Sequence, residues 1–416
     1  MAGRPTTEGP RADQGRAVAM HGARGIAASM IVLLHAQIYS QAFHGGQWRD
    51  QFFRHFDSAV PVFFVLSGFL LYSPFVAAHA TGRSVPRFLG YAARRALRIF
   101  PGYWAVLVIT IIAFSAFDVT SLAPKHPHSF FNGLSWFGLF NQWEPIHDRA
   151  RAVPQSWTLD IELAFYVALP LVAAFVGLAI SRGRSWLRSE FVGLGSFAAI
   201  SIAVKLIGAA QGGYVTAHVA YIGWPVSYFD GFAIGMALAV VAEWQEQTDA
   251  IPRLVRVLLS ARTLWGGWVV LFVVGAVALR TNDPLAAQNV WNGKRYLAEY
   301  VVYIGLGALL VAPVVLGWGK VGRARRLLSS EPIQRLGTIS YGIYLWHFFV
   351  YDVVWSLGLR TQGSLGAYAL WSVVGMAGSI LMASLSWYLL EERALRLKRY
   401  FPLAPAPRAE PAQVPA

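Results

Sequence analysis

Arg24 and His35 are the residues whose types and spacing most directly suggest chemistry. They are eleven positions apart in one apolar stretch, so on a helix they point almost the same way and differ in height by roughly 16 Å. A ligand with an anionic head and a long thin arm would contact both, and coenzyme A has this shape. A second interpretation stays open, in which Arg24 extends to the membrane surface and His35 makes a hydrogen bond between helices.

Asp160 and Glu162 lie near the start of another apolar stretch. A carboxylate can orient a neighbouring imidazole and stabilise its protonated form, which helps the imidazole act as a base. The two side chains diverge by about 200° on an ideal helix, so a single undistorted site would use only one of them. The alternative for either acid is a structural salt bridge to a nearby arginine.

Arg95 and Arg98 precede Pro101 at the start of a third apolar stretch. Together with Arg24 they could hold phosphate groups through charge-assisted hydrogen bonds. Arginines in such a place also orient membrane proteins and contact anionic lipids, and this alternative is preferred for the neighbouring Arg94.

Tyr341, Tyr344 and His347 recur at three-residue spacing in a later stretch, so successive pairs share a helix face. With Trp157 and Asp160 they are candidates for the substrate site. Aromatic residues in membrane helices more often serve packing or form a belt at the membrane surface, which is the alternative here.

Cysteine and metal chemistry are not expected. The chain contains no cysteine, which excludes an acyl-cysteine intermediate, a thiolate-bound metal and a disulfide. No H-x-x-x-H or similar ligand spacing occurs within an apolar stretch, so no metal site is predicted.

The composition requires a membrane to position these residues. Of 416 residues, 56% are hydrophobic and 13% are charged, whereas soluble chains carry about 25% charged residues. About 20 apolar residues cross a bilayer as a helix. This rule predicts an all-α bundle of ten spans at 22–43, 55–79, 97–117, 156–180, 191–210, 217–242, 263–280, 296–318, 335–357 and 366–390.

Charge then predicts the orientation of the bundle. Segments on the N-terminal side of the membrane hold 24 lysines and arginines, and the opposite segments hold 9. By the positive-inside rule both termini are expected in the cytoplasm, so the net charge of +14 needs no nucleic-acid partner. The predicted division is a flexible tail at 1–21, a membrane domain at 22–395 and a proline-rich disordered tail at 396–416.

The arrangement resembles the integral-membrane acyltransferase-3 family. The resemblance rests on Arg24 and His35 with ten residues between them, followed in order by FFVLSGFL at 63–70, RRALRIFP at 94–101, SWTLDIE with FY at 156–166, and GTISYGIYLWH at 337–347. It covers roughly 20–395. The chain departs from the family pattern at Thr158, where serine is usual, and at Asp160, an additional acid.

The resemblance implies a membrane-embedded O-acyltransferase that moves an acyl group, most commonly acetyl, from acyl-CoA to a hydroxyl group. His35 would be the general base and Glu162, which matches the family position, its partner, while Arg24, Arg95 and Arg98 would bind CoA. The acceptor would be a glycan, a glycolipid or a macrolide-like compound. The expected location is the plasma membrane, with the bilayer as partner and a homo-oligomer left open.

Two other functions remain open at this point. Ten spans with buried acids also describe secondary transporters, although no internal repeat is visible. The chain could alternatively carry acyl groups across the membrane to a separate transferase, and it would then share the same CoA site.

Overall fold

The computed structural model describes residues 9–42, 52–53, 55–117, 119, 124, 126–144, 149, 151–210, 223–248, 252–279, 293–316 and 323–403. Within these ranges the chain is helical and contains no strand. The helices are α1 (Gly9–Ser40), α2 (Ala59–Thr81), α3 (Phe88–Ala116), α4 (Phe130–Gly138), α5 (Trp157–Ser181), α6 (Trp186–Ala210), α7 (Phe229–Gln247), α8 (Arg253–Leu258), α9 (Ala261–Ala278), α10 (Gly293–Val315), α11 (Arg323–Leu328), α12 (Glu331–Ser356), α13 (Leu365–Ser386) and α14 (Glu392–Arg396).

The predicted all-α membrane bundle is confirmed. Among the described residues nine helices are long and apolar enough to cross a membrane. The one predicted span outside these nine, 335–357, corresponds to α12, which is 26 residues long. Its tyrosines, tryptophans and His347 make α12 less apolar than the other spans, yet the middle of this helix is buried. Aromatic and polar residues are tolerated there because neighbouring helices rather than lipid surround them.

Close helix contacts surround α1, α2, α7 and α12. α2 packs against α7, and α1 packs against both α12 and α13. At the α2–α7 contact, a Cβ added to Gly68 would meet the carbonyl oxygen of Phe232, and one added to Gly235 would meet that of Val65. Small residues let membrane helices approach this closely.

Buried polar pairs link several helices within the bundle. The Lys205 Nζ lies 2.5 Å from the Asp230 Oδ2 and joins α6 to α7. The Tyr39 hydroxyl donates a 2.6 Å hydrogen bond to Asp352 and joins α1 to α12. Charges are tolerated in such places when partners satisfy them.

The largest differences from the predicted spans lie at the chain ends. α1 begins at Gly9, inside the segment predicted as a flexible tail. The segment predicted as a disordered tail from 396 onward packs on α3 as far as residue 403. The Arg94 Nε donates a 2.7 Å hydrogen bond to the Phe401 carbonyl oxygen, and the Arg87 amide donates one of 2.9 Å to that of Leu403.

The helices of the fourth and the sixth predicted spans each begin with a short 3₁₀ turn. Pro154–Ser156 precedes α5, and Pro225–Tyr228 precedes α7. Proline is suited to a first turn because it has no amide hydrogen to satisfy there. Asp160 and Glu162 do not interrupt α5, because both side chains find polar partners.

Candidate active site

A basic cavity of about 300 Å³ lies between α1, α2, α3, α5, α12 and the C-terminal residues. Its lining consists of His21, Arg24, Ser67, Leu70, Leu71, Arg95, Arg98, Ile99, Glu162, Tyr166, Thr338, Tyr341, Trp387, Leu395 and Lys398. The three arginines that the sequence predicts as a cluster are thus brought together from α1 and α3. Arg94, one position from Arg95, instead bonds the C-terminal backbone.

Two arginines of the basic cavity carry buried donors without a partner among the described residues. The Nε atoms of Arg24 and Arg95 are both shielded from solvent and make no hydrogen bond. Arg98 is only loosely paired, since its Nη1 lies 4.0 Å from the Glu391 Oε2. An unpartnered buried donor is costly, and the clustered positive charge of the cavity is suited to binding an anion.

A narrow cavity of about 40 Å³ continues from the basic one towards the middle of the bundle. Arg24, Ser67, Glu162 and Tyr341 line both cavities. Beyond them the walls of the narrow cavity are mostly apolar, formed by Val60, Phe63, Phe64 and Leu159, with Thr158, Ser340 and Tyr344 as polar members. This shape suits a thin chain better than a bulky group.

His35 and His347 form a contacting pair beside Tyr344, which lines the narrow cavity. The two ring centroids are 4.9 Å apart, and the rings of Tyr344 and His347 are 5.7 Å apart. The Nδ1 of His35 donates to the Ile31 carbonyl oxygen at 2.9 Å, and that of His347 donates to the Tyr344 carbonyl oxygen at 2.6 Å. Because a carbonyl oxygen only accepts, both Nε2 atoms of the neutral rings are left as acceptors.

The two Nε2 atoms differ in exposure. His35 is half-buried, whereas His347 is fully buried and its Nε2 has no hydrogen-bond partner among the described residues. The sequence places Arg24 and His35 on one helix face, and α1 does run unbroken through both. Arg24 lies at the cavities, and His35 lies farther along the helix at the histidine pair.

Glu162 is not brought together with His35, its predicted partner. Its Oε1 accepts hydrogen bonds from the Ser67 hydroxyl at 2.9 Å and from the Tyr166 hydroxyl at 2.6 Å. The carboxylate lies where the two cavities join, beside Arg24. α12 contacts His35 through the rings of His347 and Phe348, with centroids 4.9 Å and 4.4 Å from that of His35. The sequence does not reveal these contacts, because the residues are more than 300 positions apart.

Asp160 and Trp157, both predicted near the substrate, lie outside the lining of the two cavities. The Arg151 Nη1 donates to the Asp160 Oδ2 at 3.0 Å, and the Gln142 amide donates to the same oxygen at 2.8 Å. Trp157 packs on Tyr228 with ring centroids 5.5 Å apart. Asp160 therefore ties the preceding loop to α5, which is the salt-bridge alternative to a catalytic role.

Tyr341 and Tyr344 line the cavities but have structural partners. The Tyr341 hydroxyl donates to the Ile99 carbonyl oxygen at 2.6 Å, and that of Tyr344 donates to the Gln155 carbonyl oxygen at 3.0 Å. The Arg98 guanidinium lies 5.4 Å from the centre of the Tyr341 ring. Both tyrosines thus shape the walls and fix α12 against α3 and the start of α5.

The lining residues that sequence reasoning missed include Ser67, Trp387 and Lys398. Ser67 lies in the quoted FFVLSGFL stretch and donates a hydrogen bond to Glu162. Trp387 and Lys398 lie in the last part of the described chain, beyond the family motifs. The only sequence signal for these two residues is the basic character of the segment that contains them. The positive-inside rule also accounts for that character.

Comparison with known proteins gives the family. A family model described as an acyltransferase domain matches residues 18–388. The YrhL protein of Bacillus subtilis (strain 168) is 27% identical over 339 residues, covering 80% of this chain and 49% of that protein. Peptidoglycan O-acetyltransferase OatA of Listeria monocytogenes is 23% identical over 338 residues, covering 80% and 50%. The exopolysaccharide production protein ExoZ of Rhizobium meliloti (strain 1021) is 27% identical over 371 residues, covering 85% and 93%.

The relatives differ in how much of their length is shared. The chain spans about half the length of YrhL and OatA and nearly all of ExoZ. No solved structure matches it. The family model covers residues 18–388, and this range includes every quoted motif. The chain therefore belongs to the acyltransferase-3 family.

Proposed function

We propose that this protein is a membrane-embedded O-acyltransferase that moves an acetyl group from acetyl-CoA to a hydroxyl group of a carbohydrate. One observation carries the proposal: the basic cavity joins the narrow cavity, and the histidine pair contacts Tyr344 in the wall of the narrow cavity. Acetyl-CoA has the same order of parts, with phosphates at one end, a thin pantetheine arm and a reactive thioester at the tip.

The phosphates of acetyl-CoA would bind in the basic cavity. Arg24 and Arg95 carry buried donors without partners, and phosphate oxygens are strong acceptors that arginine binds through paired hydrogen bonds. Because Arg24 lines both cavities, it would contact the phosphate nearest the pantetheine arm. The arm would then pass between the apolar walls of the narrow cavity.

The reaction needs one base and no covalent enzyme intermediate. The His35 Nε2 takes the proton of the acceptor hydroxyl as its oxygen attacks the thioester carbonyl carbon. The carbon–sulfur bond breaks, CoA leaves as a thiolate, and the proton on His35 passes to that sulfur. The products are an ester and free CoA. An acyl-cysteine step is excluded, because the chain has no cysteine.

His347 would take the supporting role first predicted for Glu162. When His35 is protonated, the lone pair on the unpartnered Nε2 of His347 would stabilise the cation electrostatically, since the two ring centroids are 4.9 Å apart. Glu162 would instead hold the junction of the cavities, with Ser67 and Tyr166 as donors.

The acceptor class follows from the relatives. OatA is named a peptidoglycan O-acetyltransferase, and ExoZ is named an exopolysaccharide production protein. We therefore assign a cell-surface glycan or its lipid-linked precursor as acceptor. The excess of lysine and arginine on the N-terminal side supports cytoplasmic termini in the plasma membrane, so the basic cavity would receive acetyl-CoA from the cytoplasm.

The test is acetyl transfer by purified protein with the His35→Ala variant. Transfer is measured as thiol release from acetyl-CoA in the presence of peptidoglycan fragments or exopolysaccharide, and the cysteine-free chain adds no thiol background. We expect His35→Ala to lower transfer by roughly 100-fold or more and to leave acetyl-CoA affinity unchanged. The control is His126→Ala, which removes an exposed histidine far along the chain.

Two outcomes would contradict the assignment. Wild-type transfer by His35→Ala would exclude His35 as the base. Acetyl-CoA binding without transfer to any glycan, together with acetyl delivery to a separate transferase in the same membrane, would instead support a role as an acyl-group carrier.

A further inference from the structure

We propose that Lys398 binds the 3′-phosphate of CoA, and that residues 387–403, termed here the C-terminal segment, complete the donor site. This inference rests on the proposed function, because it assigns one phosphate of the same donor. Neither Lys398 nor the C-terminal segment belongs to a quoted family motif, and the family model ends at residue 388.

The first argument is the position of Lys398 along the cavity. Lys398 and Trp387 line the basic cavity but not the narrow one, whereas Arg24 lines both. With the pantetheine arm in the narrow cavity, the pyrophosphate lies near Arg24. The adenosine and its 3′-phosphate then lie at the far side, where Lys398 faces Arg95 and Arg98.

The second argument is the positive charge of the basic cavity around Lys398. Four cationic side chains line the basic cavity, and Glu162 is the one acidic lining residue among those described. Glu391 is the other nearby acid, and its Oε1 accepts a hydrogen bond from Ser386 while its Oε2 lies 4.0 Å from Arg98. Glu162 is likewise held by Ser67 and Tyr166. A net positive charge thus remains for a ligand with several phosphates.

The third argument is that the C-terminal segment is fixed in place rather than loosely attached. Beyond its hydrogen bonds with Arg87 and Arg94, the segment lies close to α3 at Gly90, where an added Cβ would meet the Pro402 carbonyl oxygen. A π-helical turn at Trp387–Glu391 joins α13 to α14. Such turns are rare and are frequent at functional sites, and this one carries both Trp387 and Glu391.

The test compares two donors in calorimetric titrations. Acetyl-CoA and acetyl-3′-dephospho-CoA differ only in the 3′-phosphate, so their affinity ratio measures recognition of that group. We expect Lys398→Gln to weaken acetyl-CoA binding by about tenfold and to leave the affinity for the dephospho donor unchanged. Lys398→Arg should retain the wild-type preference, because it keeps the charge.

The matched control is Arg399→Gln, which removes the neighbouring charge. Arg399 is exposed and donates a hydrogen bond to the Tyr400 hydroxyl, so this variant should bind both donors like the wild type. An equal loss for both donors in Lys398→Gln, or no loss, would overturn the inference while leaving the proposed function intact. Failure of the wild type to bind either donor would overturn both.

Discussion

His347 and His35 have the same hydrogen-bonding pattern but different access to the reaction. Each ring donates from Nδ1 to a carbonyl oxygen of its own helix. His35 is half-buried, whereas His347 is fully buried. The half-buried His35 can contact the acceptor as the base. The buried His347 can stabilise the cation that His35 becomes when it takes the proton.

Replacement of His347 tests this division of roles. We expect His347→Phe to lower the maximal rate of acetyl transfer by roughly 100-fold, because the protonated His35 loses the neighbouring imidazole lone pair. His347→Gln should retain more activity, since an amide oxygen also places a partial negative charge beside the cation. Acetyl-CoA affinity, measured by titration, should be unchanged in both variants.

A purely structural His347 would give a different result. His347→Gln and His347→Phe would then lower the melting temperature and the transfer rate in parallel. Equal transfer rates for His347→Phe and the wild type would contradict any role in the reaction.

At the residue scale, sequence reasoning finds side chains that share one helix and misses pairs formed between helices. The spacing of Arg24 and His35 and that of Arg95 and Arg98 predict which face they share, because helical periodicity is local. The partners of Glu162 depend on how α2 and α5 approach, which periodicity does not contain. The motif position suggested His35 as its partner, and the structure gives Ser67 and Tyr166.

At the scale of elements, the contact between α2 and α7 determines the walls of the narrow cavity. α2 supplies Val60, Phe63 and Phe64 to that cavity, and the glycines Gly68 and Gly235 let its backbone lie directly against α7. A side chain at either position would push α2 away from α7 and displace the cavity wall that α2 forms.

Gly235→Leu tests the close approach of α2 and α7. The added side chain meets the Val65 carbonyl oxygen, and overpacking of this kind costs about 1–3 kcal/mol or more. We expect the apparent melting temperature of the detergent-purified protein to fall by roughly 5 °C or more. Gly266→Leu on α9 is the control, because an added Cβ there has no atom within 4 Å. Equal melting temperatures for the two variants would contradict a backbone contact at Gly235.

The number and order of the spans could be predicted from sequence, whereas their ends could not. Long apolar runs report the length that lipid requires, so the ten predicted spans match the long helices. Helix ends depend on contacts outside the apolar run. α3 extends back to Phe88 through Arg94, Arg95 and Arg98, since these charged residues face the basic cavity and the C-terminal segment.

At the scale of the whole molecule, the distribution of charge links the predicted orientation of the bundle to the proposed donor site. Most lysines and arginines lie in segments on the N-terminal side, and four cationic residues from α1, α3 and the C-terminal segment meet in one cavity. The segments predicted to orient the protein would therefore also provide the ligand charges. The sequence predicts the first role and, through Arg24, Arg95 and Arg98, part of the second, and the folded arrangement adds Lys398.

The central claim is that acetyl-CoA binds in the basic cavity, and titration calorimetry tests it most directly because no acceptor is needed. We expect folded wild-type protein in detergent to bind acetyl-CoA and Arg24→Ala to bind it about tenfold more weakly or worse. Arg188→Ala, which removes an exposed arginine of α6, should bind like the wild type. Absence of binding by the folded wild type, or equal affinity of Arg24→Ala and wild type, would contradict the claim.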